Sequence, residues 1–256
     1  MLSLLNSITL PELTDREKTL KSAARCPDPA IGSDDDNYAQ INEGIVLSFD
    51  KTLSSQQRDD VSHSLLFAQL AADKKFNRHS ATQAWQESFT GVLATVGWNM
   101  LHFASQSIEL SAPVDWAALV NQHIPDATQS LAGASIHAAQ DLTLTSPAFT
   151  LWESAAINPH KYSDGLFIVT PTLNVQNSPQ IIVLMLAYHF TSDVEGFMKW
   201  QEGYSIDIYK LGLKLNEDIY NQLRQPILTK LGDRPEYLIA NIPMDTAMRL
   251  PDDNTY

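Results

Sequence analysis

Apolar residues change their spacing about halfway along this chain. In the first half they recur at helical intervals, whereas over residues 149–215 they alternate or run together as four consecutive strands. The centre of that second half is Ile181-Ile182-Val183-Leu184-Met185-Leu186-Ala187-Tyr188, bounded by Asn177-Ser178-Pro179 and Thr191-Ser192-Asp193. An apolar run of this length between turn signals predicts a strand buried on both faces and is too short to span a bilayer. Phe149, Leu151, Ala155 and Ile157 alternate, as do Phe167, Val169, Leu173 and Val175, which predicts antiparallel strands with one solvated face. Pro171 cannot donate to a ladder, so its strand is expected at an edge or a bulge. In the fourth strand the apolar phase moves from Ile206 and Ile208 to Tyr209, Leu211, Leu213 and Leu215, as a β-bulge would make it.

The helical half carries clearer end signals. Ser54 and Gln57 form a capping box ahead of a helix over 56–76, whose buried stripe is Val61, Leu65, Ala68 and Ala72. Ser80 and Gln83 repeat the pattern before a helix carrying Trp85, Phe89, Val92, Leu93 and Val96, which Gly97 should stop. A strand is expected over 103–110. Pro113 then opens a helix with Trp116, Leu119, Val120 and Ile124 that ends at Pro125, and a weaker helix over 126–140 is interrupted by Gly133. After the strands, Asn216 caps a helix opened by Glu217 and Asp218; Pro226 should kink it and Gly232 should end it. Short strands are expected at Ile45–Phe49 and over 237–242. Together these elements predict an α+β fold. Its mostly antiparallel sheet of about five strands packs against helices from the N-terminal half and a C-terminal helix. Residues 1–40 read as an arm, partly mobile, 41–242 as a single domain and 243–256 as a polar tail.

Composition narrows the function classes. Acids outnumber bases 30 to 17, for a formal net charge of −13, which argues against a nucleic-acid partner and against anionic membrane surfaces. The single cysteine, Cys26, excludes an internal disulfide and any thiolate-based zinc cluster. The first residues lack a basic n-region and an Ala-x-Ala site, so the expected location is the bacterial cytoplasm, or outside the cell by export without a cleavable signal peptide.

Candidate chemistry is sparse. Gly133-Ala134-Ser135-Ile136-His137 is the nearest approach to a nucleophile elbow, but His137 replaces the second glycine and no hydrophobic strand precedes it. The bland reading is a helix interrupted by small residues. No two of the seven histidines have the spacing that puts a pair on one helix face. His189, at the end of the apolar strand, is the most interesting of them, and a solvated strand end is its ordinary explanation. Asp34-Asp35-Asp36-Asn37 lacks the alternation and glycine of a calcium loop and reads as solvated acid. No metal or other cofactor is expected. Phe197, Trp200 and Tyr204, at helical spacing, read either as a helix capping the sheet or as an exposed aromatic patch for a partner protein or a lipid surface.

Residues 65–78 (LLFAQLAADKKFNR), then Trp85 and Val92 to Trp98, and at the other end Ile219 to Arg224 and Lys230 to Asp233, resemble a family of mostly bacterial, virulence-linked proteins. These are the accessory proteins encoded beside α-helical pore-forming toxins of the motility-associated killing factor type. The resemblance covers roughly residues 41–233. It implies a non-enzymatic accessory or interaction role with toxin-system proteins as partners, and it brings no catalytic residues. Two other classes stay open: a virulence protein acting at the membrane surface through residues 197–204, without a transmembrane segment, and a cryptic hydrolase built on Ser135, His137 or His189.

Overall fold

The computed structural model describes residues 2–15, 17–19, 38–110, 115–190, 203–242 and 244. In chain order the elements are α1 (Leu2–Ser7), β1 (Tyr38–Asn42), β2 (Ile45–Phe49), α2 (Ser55–Asp73), α3 (Thr82–Thr95), β3 (Trp98–Glu109), α4 (Trp116–His123), α5 (Asp126–Gln140) and α6 (Pro147–Ala156). They continue with β4 (Asp164–Val175), β5 (Ser178–Phe190), β6 (Gly203–Leu215), α7 (Glu217–Leu231), α8 (Pro235–Leu238) and β7 (Ile239–Ile242). The strands form one seven-stranded sheet in the order β3-β6-β5-β4-β2-β1-β7, with every neighbouring pair antiparallel except β2–β4. The α+β class therefore holds, with seven strands in place of about five. No helix among the described residues is long and apolar enough to cross a membrane.

Helices cover both faces of the sheet, where one covered face was expected. The registers link Asn42, Ile45, Ile168, Met185, Tyr209 and Ser105 as opposed residues, so these share a face. Helix α2 lies over it: Asn42 Nδ2 donates to the Ser62 carbonyl at 2.9 Å, and Trp98 Nε1 donates to Ser64 Oγ at 3.0 Å. Helix α7 packs on α2, and α3 on β3. The opposite face meets α4 and α6 through aromatic edges: Trp116 and Trp152 lie against Phe167 at 5.2 and 6.4 Å, and Trp116 against Tyr188 at 6.2 Å. Two covered faces explain why β5 is apolar at nearly every position.

Three local expectations are corrected. Residues 149–156 are helical, not a strand: Ser146 Oγ caps the Phe149 N–H, Pro147 takes the first turn, and Phe149, Trp152 and Ala156 are buried at helical spacing. Pro171 sits in the middle strand of the sheet. Asp50 N–H bonds the Thr172 carbonyl at 2.9 Å on the β2 side, while the pairing to β5 skips from Val169–Leu184 to Thr172–Ile181. The absent N–H is thus tolerated as a gap in one ladder. The phase change in β6 comes with no bulge at Ile208–Tyr209, where the pairing is regular on both sides; the one register shift of β6 lies earlier, where Tyr204 is extra against His189 and Phe190 of β5. Ile206 and Ile208 are buried on one face and Leu211, Leu213 and Leu215 on the other, because the two helical layers cover opposite ends of β6.

End signals fared unevenly. The Ser54–Gln57 box, Gly97 at φ 103°, the Asn216 cap on the Ile219 N–H and the stop at Gly232 are all present. Ser80 does not cap α3, which starts from Ala81 without a side-chain cap. Helix α5 runs through Gly133, and α7 through Pro226. β1 begins at Tyr38, inside the stretch read as an arm, and the arm's first turn docks on the domain: Leu5 is fully buried and Lys230 Nζ bonds the Asn6 and Ile8 carbonyls. Cys26, the Asp34–Asn37 run, Pro113 and all but Met244 of the tail lie outside the described residues.

Candidate functional site

The two edges of the sheet are unlike. β7 is four residues long and is shielded by contacts with α6 and α8. β3 is twelve residues long, and after Trp98 almost every position is exposed. Between Trp98 and Ile108 it carries no Asp, Glu, Lys, Arg or Pro, the residues that normally discourage pairing at an edge. Its large side chains face solvent: Met100 and Leu101 are each 51% exposed and Phe103 is 54% exposed.

One irregularity shapes this edge. Met100 opposes Leu213 and His102 opposes Gly212, so Leu101 is an extra residue in β3. Without the bulge Met100 and Phe103, three apart, would point to opposite faces; with it both point to the face of Leu211 and Leu213. Beyond it the pairing is regular from His102 to Glu109. Gly212 makes room for the His102 ring, since a Cβ there would lie 2.1 Å from His102 Cε1.

Met100 and Phe103 form one wall of a groove of about 640 Å³ between β3, β6 and α3, with Leu211 and Tyr209 along β6 and Gln83, Gln86, Glu87 and Thr90 along the helix. Gln86 is 5% exposed. Burial, with Asp207 close by, raises the Tyr209 pKa, so its phenol stays neutral. Glu87, Asp207 and Glu109 give the groove face an acidic border, while Lys210 and Lys214 lie on the other face.

A second cluster is buried at the β1–β2 turn. Arg78 is held bidentately by Asp73 and stacks 5.0 Å over Trp85, whose Nε1 donates to Asp73 at 2.7 Å. Glu43, at φ 52°, places Oε2 3.0 Å from Arg78 Nη2 without hydrogen-bond geometry. One guanidinium thus faces two carboxylates, and Asp73 holds it. Burial pushes the Glu43 carboxyl up to about 8 despite Arg78, so it keeps its proton at neutral pH. Burial also lowers neighbouring His79 to about 4. Gln69 ties the cluster to the sheet, donating to the Asn42 carbonyl at 3.0 Å and accepting from the Gly44 N–H.

A polar cleft of about 810 Å³ lies where the N-termini of α2 and α7 meet. Arg58 bonds the Leu53 and Lys51 carbonyls there, and Arg224 bonds Asp60 at 2.7 and 2.6 Å.

The residues singled out from sequence fall elsewhere. Ser135 is fully buried in α5 and its hydroxyl bonds the Ala132 carbonyl at 2.8 Å. His137, two residues on, projects to a different side of the same helix. His189 is half exposed at the end of β5, with Nδ1 3.5 Å from an Asp164 oxygen that Lys161 also bonds. Phe197 and Trp200 lie outside the described residues; Tyr204 is in β6, its side chain outside them. The exposed apolar part of β3 was missed because periodicity reports spacing and is blind to which strand ends up at an edge.

This architecture defines the class: an α+β protein whose helix-covered sheet ends in one long edge that is unshielded among the described residues. No protein-family model and no curated protein matches the chain. Among solved structures it is similar to a delta-endotoxin, at 13% identity over 70% of this chain and 87% of that one, with a TM-score of 0.36. It is also similar to the Evf virulence factor, at 10% identity over 74% of this chain and 82% of that one, with a TM-score of 0.38. Neither likeness transfers a residue role.

Proposed function

We propose that this chain is a non-enzymatic interaction protein of a bacterial toxin or virulence system, binding a protein partner through its open sheet edge. The observation that carries the reading is β3: a long, uncharged edge strand with Met100, Leu101 and Phe103 turned to solvent. An edge of this kind attracts other chains, and a chain that keeps one without protection has a use for it. The toxin-system part rests on the sequence resemblance over residues 65–98 and 219–233. A membrane-surface role would draw on the same apolar side chains, and the acidic border of Glu87, Asp207 and Glu109 favours a protein over an anionic bilayer. The test is affinity capture of the full chain with proteins encoded beside its gene. Retention of one of them at micromolar concentration is expected. Failure to bind any of them would refute the reading.

A further inference from the structure

The mode of binding and the chemistry of the partner follow from the same edge, and rest on the reading just given. We propose that β3 and its groove accept an extended segment of a partner protein by strand addition. The segment presents apolar side chains, flanked by basic ones, to the groove face and acidic side chains to the other face.

Three observations converge on this. From His102 to Glu109 the ladder to β6 is regular, so the outward N–H and C=O groups of β3 are evenly set for another strand. The Leu101 bulge brings Met100 and Phe103 to the groove side, where alternate side chains of an added strand would land. At the helical wall Gln86 lines the same space and offers an amide to an incoming chain.

Charge selects the occupant. The groove face is bordered by Glu87, Asp207 and Glu109, the opposite face by Lys210 and Lys214. A second copy of this chain fits poorly. A two-fold antiparallel pairing of β3 with itself keeps each face in line with the same face of its copy, so neither face meets the opposite charge, and it brings together chains of net charge −13. A segment with the inverse pattern meets attraction on both faces.

The probe is a fluorescent nine-residue peptide with Leu on one face, Lys at both ends of that face, and Glu and Thr on the other. Anisotropy titration against the full chain should give saturable binding with Kd on the order of 10–100 µM. Binding should weaken at least tenfold when the peptide charges are inverted, when alternate residues are N-methylated in at least one of the two phases, and in the Met100→Ser, Phe103→Ser double variant. Thermal melts check that the variant is folded; both side chains are solvent-facing. Absence of binding at 1 mM peptide, or binding that survives N-methylation in both phases or the double substitution, would overturn the proposal. So would a dimer of the wild-type chain in sedimentation that the double variant dissolves. Capture of a toxin-system protein equally by wild type and double variant would sink this inference and leave the interaction reading standing. Peptide binding without any captured partner would do the reverse.

Discussion

Burial of Glu43 should make the stability of this protein fall as pH rises through the neutral range. Its carboxyl is buried beside an arginine that Asp73 already holds, which raises it from 4.5 to about 8. The native state therefore binds a proton that the unfolded chain releases. An acid raised on folding contributes fully below the unfolded pKa, and that contribution drains away at about 1.4 kcal/mol per pH unit until the folded pKa is reached. Between pH 5 and pH 8 the loss should be on the order of 3 kcal/mol. Glu43→Gln keeps the shape and removes the titration. Urea unfolding of both proteins, followed by tryptophan fluorescence, should show the wild type losing on the order of 3 kcal/mol relative to the variant from pH 5 to pH 8. His79 has its own opposite dependence, because its lowered pKa favours the neutral ring in the folded state; it is common to both proteins and cancels. A wild-type minus variant difference constant to within about 0.5 kcal/mol, or growing with pH, would refute the reasoning.

Gly165→Ala should cost at least about 3 kcal/mol in chemical denaturation, since its Cβ would lie 2.1 Å from Tyr188 Oη and 2.4 Å from the Ala156 carbonyl; Tyr188→Phe should recover only part of that, the backbone clash remaining. Arg224→Ala leaves the buried Asp60 carboxylate with only the Gln56 amide as a side-chain partner among the described residues, and unfolding should register a loss of about 3 kcal/mol. Ser135→Ala removes a hydroxyl that bonds its own helix: stability should move by about 1 kcal/mol or less, and any ester hydrolysis detected in the wild type should persist unchanged in the variant.

What could be read in advance follows from how local each determinant is. The Ser54–Gln57 box and the Asn216 cap are three-residue signals, and both formed. The error at residues 149–157 shows the limit of the same logic. Phe149, Leu151, Ala155 and Ile157 fit period two, but Phe149, Trp152 and Ala156 fit a helix, and the preceding Ser146-Pro147 start signal decides between them. β7 was expected over 237–242 and forms over Ile239–Ile242, whereas β1 is too short and mixed in polarity to stand out; it is a strand because it pairs with β2 on one side and β7 on the other. Pro171 was legible as a disturbance of a ladder. That the disturbed strand lies mid-sheet depends on the single parallel pairing of β2 with β4, which no local pattern encodes.

The candidate sites were hidden for a related reason: each is assembled from residues that are ordinary where they stand. Glu43, Asp73, Arg78 and Trp85 come from a turn, a helix end, a loop and the next helix, and only the fold makes one guanidinium serve two acids. At the edge, Met100 and Phe103 read as strand core by hydrophobicity. They stay outside because α3 leaves an open groove between itself and β3, and they share a face because Leu101 is extra. A bulge can serve to blunt an edge. Here it lies at the end nearest α3, leaves eight regular residues beyond it, and aims two apolar side chains at one groove. Protection would have placed the irregularity, or a lysine, in the middle of the free run; its position instead preserves the run and shapes what could dock there.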